Sequence, residues 1–184
     1  MNEVLKTIKS RRSIRKYLPQ QIRDSEINTI IEAGIYAATG HNEQPWYFTV
    51  IQDKELIDYM SQRTKELMSN ESIEWIARIG RNEKRHLFHH APTVIVVSGK
   101  QNAYSPLTDC SAAIQNMMVA AESMDIGSCW IGLVSYFFEQ EEEVKKLNIP
   151  EGYKPFYAVC FGYKDTSIKV AVPERKTDIV NYIK

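Results

Sequence analysis

The run PTVIVVSG, residues 92–99, is the feature that most limits how this chain can fold. Val94, Ile95, Val96 and Val97 follow one another with no polar residue between them. A strand alternates its side chains between two faces, so this one presents apolar groups to both and has to be covered on both. That places it in the middle of a sheet. A second constraint comes from TDCSAAIQNMMVAAESM, residues 108–124, which is apolar on almost every side. A helix of that kind is buried all round, either at the centre of its own chain or against another subunit.

Around these two segments the other elements read in order. Asn2 to Lys9 forms a short helix with Val4, Leu5 and Ile8 on one side. From Asp24 or Ser25 as N-cap, Ile27, Ile30, Ile31, Gly34, Ile35 and Ala38 recur at helical spacing. Trp46 to Ile51 is aromatic and β-branched, hence a strand, and Asp53 caps a helix running to about Met68. Gly127 reads as the C-cap of the apolar helix, Glu139 to Lys146 as a charged surface helix, and FYAVCFGY as a further strand. Helices and strands do not alternate regularly, which predicts an α+β sheet with helices on both faces rather than a doubly wound parallel fold. No repeat or linker divides the chain, so one domain spans residues 1–184. The tail after Asp165 carries Val170, Val172, Ile179, Val180, Tyr182 and Ile183, too many apolar groups to stay in water, and should pack on something.

Charge narrows the function. Twenty-three basic residues balance twenty-three acidic ones, which leaves no overall field for a nucleic acid or a membrane surface. Yet SRRSIRKY, residues 10–17, gathers Arg11, Arg12, Arg15 and Lys16. In an extended segment Arg11, Ser13 and Arg15 share one face, a set of guanidinium forks and a hydroxyl suited to a phosphate. The plain alternatives are a solvated basic turn and a kinase recognition site. Cys110, Cys129 and Cys160, without CxxC spacing and among apolar neighbours, read as buried thiols of a reducing compartment. With no signal core or long apolar run, the expectation is a cytoplasmic protein.

Taken together, SRRSIRKY, AATGHNEQPWYFTVI, GSCWIG and VPERK resemble, in order and separation, the FMN-dependent nitroreductase family. The resemblance implies a mostly antiparallel sheet flanked by helices, in an intertwined homodimer whose tail, residues 165–184, packs on the partner subunit. It implies that Arg11, Arg12 and Ser13 hold the FMN phosphate and ribityl groups and that Arg15 reaches N1 and the C2 carbonyl. There a cation favours the negative charge of reduced flavin. Arg175 and Lys176 match a C-terminal basic pair on the same phosphate, although alone they read as surface charges. Ala38, Thr39 and Gly40 are implied to reach FMN from the other subunit, with Asn42 bracing the loop and His41 near the substrate. Bottom-up, that stretch is a loop in which Gly40 and Asn42 are able to take positive φ. Trp130, Ile131 and Gly132 are implied to lie along the flavin ring, and Trp130 fits core packing equally well.

The implied activity is a two-step NADH or NADPH oxidoreductase reducing nitroaromatics, quinones or similar acceptors at the flavin N5, with no catalytic side chain required. A flavin-binding or redox-sensing module with little turnover is the alternative, and a small nucleic-acid-binding protein is the third reading. Trp75 and Phe88, in the region where the family varies, are candidate pocket residues as well as candidate core. Glu83, His86, His89 and His90 have spacing that could gather ligands, but Lys84 and Arg85 compete, and no metal is expected.

Overall fold

The computed structural model describes residues 1–167 and 170–184. Helix α1 (Glu3–Ser10) starts where Asn2 Oδ1 accepts the Leu5 N–H at 2.9 Å. Helix α2 (Asp24–Ile35) begins one residue before the sequence reading placed it. Glu26 reaches back to accept from the Arg23 N–H at 2.9 Å and from Arg23 Nη2 at 2.6 Å, which makes Arg23 the N-cap in place of Asp24 or Ser25. Strand β1 (Trp46–Ile51) leads to α3 (Lys54–Met68), whose Asp53 cap accepts from Glu55 and Leu56, and α4 (Glu74–Arg81) follows.

Strand β2 (Thr93–Lys100) holds the apolar run. Helix α5 (Pro106–Ser123) ends on Met124, and Asp125 takes the left-handed turn at φ 59°. Gly127 is therefore not the C-cap; it lies inside β3 (Ile126–Ile131), because a short acidic side chain tolerates the left-handed region well enough to end the helix earlier. The surface helix expected over Glu139–Lys146 is the shorter α7 (Glu141–Lys145), preceded by α6 (Ser135–Phe138) and extended backbone at Gln140. Strand β4 (Tyr153–Tyr163) completes an all-antiparallel sheet of order β1-β2-β4-β3.

The run that opened the sequence reading is buried as expected. Val94 and Val96 enter a core on one face with Ile57, Met60, Leu87, Phe88, Val134 and Phe137. Ile95 and Val97 enter a second core on the other face with Ile30, Ile114, Met117 and Phe161. Helix α5 is buried against the sheet and against α2, and not all round. Leu107 is exposed, and Val119 and Ala120 line an open groove of about 620 Å³ with Val4 and Ile8 of α1. Residues 170–184 are exposed and carry neither helix nor strand. All three cysteines are buried free thiols.

Candidate functional site

The basic stretch runs alongside the β3 edge of the sheet. Ser13 bridges Ser128, the Ile14 N–H donates to the Ser128 carbonyl at 2.9 Å, and Tyr17 bridges Lys164. Ile14 is the buried anchor. A Cβ built on Gly127 would lie 2.9 Å from Ile14 Cβ and Cγ2, so that glycine is required by the approach of this segment. Tyr17, which the sequence reading passed over, donates its hydroxyl to the Ile14 carbonyl at 2.6 Å. Burial, with help from Cys160 and Cys129, pushes that phenol well above its ordinary pKa, so it stays a donor.

Arg12, which alternation leaves off the face shared by Arg11, Ser13 and Arg15, does not take the phosphate role that the family resemblance implied for it within this chain. Arg12 folds back, its Nη1 donating to the carbonyls of Lys9, Ser10 and Arg11 at 2.7, 3.1 and 2.8 Å. It caps α1 instead of joining the phosphate-type face, because the last turn of a helix leaves carbonyls that a nearby guanidinium satisfies. Lys16 is also engaged, by Asp165 at 2.9 Å. Arg11 makes no such carbonyl bonds: its Nη1 is buried without a hydrogen-bond partner among the described residues, as is the Nε of Arg12. Arg15 is exposed and has no ion pair among the described residues. Arg11 and Arg15 both bear electrostatically on the Cys129 thiol, which burial nevertheless raises. Ser13, Arg15 and Lys16 line a cavity of about 370 Å³ with Thr166 and Val170.

A second cavity, about 640 Å³, opens beside Arg15 and is lined by Lys16, Asn82, Lys84, Arg85, His86 and His89 among others. No carboxylate lines it. His89 is held neutral there, its pKa lowered to about 4 first by burial and then by the charges of Arg15 and Arg85. Asn82 was not singled out from the sequence and Arg85 entered only as a charge competing with a metal, since nothing local distinguishes them from surface polar residues. Of the ligand-type set considered there, the fold gathers a different one: Asp58, His86 and His90, with ligand atoms within 4.8 Å of one another. The arrangement is one of hydrogen bonds. His86 Nδ1 accepts from two backbone N–H groups, which puts its proton on Nε2, facing Asp58 Oδ1 at 3.1 Å.

The loop before β1 is organised by a residue the sequence reading missed. Asp109, buried at the start of α5, accepts from Thr39 Oγ1 at 2.7 Å, the Gly40 N–H at 3.2 Å and Ser105 Oγ at 2.9 Å. Positive φ falls on His41, Asn42 and Gln44; of the two residues read as able to take it, Asn42 does and Gly40 does not. The ring of His41 packs edge-on to Tyr104 at 5.2 Å, and Asn42 Oδ1 accepts from Gln44 Nε2 at 3.0 Å. Ala38 and His41 are exposed. This loop precedes β1, at the opposite edge of the sheet from β3 and the basic stretch.

On β3, Trp130 is half-buried and edge-on to Tyr157 at 5.0 Å, and Ile131 is buried in the core. Gly132, just past the strand, has open space where a Cβ would sit. Trp75 is exposed on α4, whereas Phe88 is fully buried in the core, which removes it from any pocket wall. Arg175 and Lys176 lie on the exposed tail with no hydrogen bond or ion pair among the described residues.

Known proteins resemble this chain along most of its length. The sequence model of the Nitroreductase family matches residues 8–163. A nitroreductase from Bacteroides fragilis, solved with bound FMN, superposes with a TM-score of 0.92 at 32% identity, each chain covered in full. A protein of Archaeoglobus fulgidus, provisionally named an NADH dehydrogenase/NAD(P)H nitroreductase, is 34% identical over 172 residues, 89% of this chain and 86% of its own. The NADPH-flavin oxidoreductase of Vibrio harveyi is 27% identical over 175 residues, 92% of this chain and 69% of its own.

Proposed function

The chain belongs to the nitroreductase family, and from that premise we propose that it is an FMN-dependent NAD(P)H oxidoreductase that reduces small acceptors such as nitroaromatics and quinones. The observation that carries this reading is the buried, unpartnered Nη1 of Arg11 beside Ser13 and the unpaired Arg15. A buried charged donor without a partner is costly, and a phosphate group supplies the missing acceptor. When bound, FMN supplies the hydride chemistry, taking electrons from NADH or NADPH and passing them to the acceptor.

The chain's own residues bind, position and charge the site. Arg11 and Ser13 hold the phosphate. Arg15, with Arg85 across the same cavity, sets positive charge at the ring's pyrimidine edge and favours reduction. Ile131 and Gly132 border the ring, and the open space at Gly132 lets it approach closely. No side chain is needed as an acid or base, because position and charge are what the protein contributes.

The site is completed by a second copy. The loop carrying Ala38, Thr39, Gly40 and Asn42 and the basic stretch stand at opposite sheet edges, so the loop of one chain serves the clamp of the other. The exposed Val4, Leu5, Ile8 and Tyr36, the groove along α5 and the apolar tail supply the surface for that pairing. In the pair, Arg175 and Lys176 reach the phosphate, and His41 and Trp75 face the acceptor.

The test is the visible spectrum of the purified protein, before and after anaerobic addition of NADH and then NADPH. Flavin bands that bleach are expected. Bands that persist would leave a flavin-binding module, and a colourless protein that FMN cannot reconstitute would overturn the reading. Arg11→Ala combined with Arg15→Ala is expected to abolish FMN retention in a folded dimer.

A further inference from the structure

Residues 82–92 link α4 to β2 without helix or strand, yet the middle of this link is tightly held. His86 Nδ1 accepts from the Phe88 N–H and the His90 N–H, both at 3.2 Å. Its Nε2–H points to Asp58 Oδ1 on α3 at 3.1 Å, and the other carboxylate oxygen of Asp58 is taken by Lys54. Leu87 adds a bond from its N–H to Ser61 Oγ at 2.8 Å. The turn needs such support. His89 and His90 both sit in the left-handed region, at φ 54° and 55°, which costs a non-glycine residue on the order of 1 kcal/mol.

This strained turn delivers Arg85 on one side and His89 on the other into the cavity that Arg15 lines. We propose that His86 is a positioning residue of the flavin site: by accepting two N–H groups of its own turn while donating to Asp58, it holds Arg85 and His89 beside Arg15. The inference rests on the reading of the chain as an FMN enzyme. Its consequence is directional. Oxidised flavin carries no charge at its pyrimidine edge, whereas reduced flavin does, so loss of the latch weakens the reduced state more.

The groups facing His86 are Asp58 and Lys54 from α3 and His90 and Phe88 from the turn, with Lys65, Lys84, Arg85 and Glu83 lining the adjoining space. Burial and then the His90 charge keep His86 below the ordinary histidine pKa, against the opposing pull of Asp58. Protonation at Nδ1 would set a donor against two donors and release the turn. The latch is thus closed at neutral pH and opens as pH falls through that lowered pKa.

Oxidised-FMN affinity by fluorescence titration and the two-electron midpoint potential by spectroelectrochemistry test this. In His86→Leu, reduced FMN should lose about tenfold more affinity than oxidised FMN, a fall of about 30 mV in potential. His86→Asn should restore both, because its amide oxygen can accept where Nδ1 did. It should also lack the weakening of FMN binding on acidification that the latch predicts for the wild type. A folded His86→Leu protein with unchanged potential, or an Asn variant as impaired as the Leu variant, would overturn the role. If the Leu variant does not fold, an equally steep acid loss in His86→Asn would do so. A wild type that binds no FMN would remove the enzyme reading along with it.

Discussion

Gly127→Ala is the substitution whose effect on the site can be worked most directly from geometry. The added Cβ meets Ile14 Cβ, Cγ2 and Cγ1 at 2.9, 2.9 and 3.0 Å. Carbon atoms pack at roughly 3.5–4.0 Å, so Ile14 and β3 have to separate by about 0.7 Å. Ile14 cannot yield by rotating a flexible end, since its branched Cβ is itself in contact, and its N–H is bonded to Ser128 on the same strand. The whole basic segment therefore moves, taking Ser13 and Arg15 with it. Overpacking of this kind costs about 1–3 kcal/mol of stability. The larger consequence is for the cofactor: FMN affinity should fall at least tenfold, about 1.4 kcal/mol. Isothermal titration with FMN, alongside urea unfolding of the FMN-free protein, separates the two effects. Wild-type FMN affinity in a variant destabilised by the expected amount would refute the claim that Gly127 sets the position of the clamp.

Three further outcomes follow from the same structure. Glu26, held by Arg23 and Tyr163, has its pKa lowered to about 2, so its stabilisation is present above about pH 5 and is lost as pH falls toward 2. Glu26→Gln should accordingly cost on the order of 2 kcal/mol at pH 7 in urea unfolding, with the difference shrinking toward zero in acid; a constant difference would be evidence against the ionised role. Phe88→Ala, at a fully buried core position, should lose about 3–5 kcal/mol, whereas Trp75→Ala on exposed α4 should change stability by less than about 0.5 kcal/mol and act on acceptor KM instead. Burial pushes the Cys110 thiol up to about 12 and raises Cys129 and Cys160 too, so a thiol reagent should label none of them until the protein unfolds, and fast labelling of the native state would contradict their placement.

Where the sequence reading succeeded, the signal was local and periodic. Val94 to Val97 announced a strand covered on both faces, and the helix spacing after Arg23 announced α2, because side-chain alternation is a property of neighbouring residues. The basic stretch and the loop before Trp46 were also legible, as composition and as family resemblance. What depended on partners distant in sequence was not. Arg12 looked like Arg11 until the end of α1 was seen to need its guanidinium, and Phe88 stood open between pocket and core until β2 and β4 closed over it. Asp109 reaches Thr39 across 70 positions, and His86 meets Asp58 across 28. These pairings follow from the order in which strands and helices pack, and no periodicity within either segment encodes them. The sequence by itself determined the strands and helices with a clear side-chain period and where charge is concentrated, but not β3, whose glycine was read as a helix end. The tertiary structure decided which of those charges stay free to hold a ligand, because each nearby carbonyl or carboxylate claims a cation before any cofactor can.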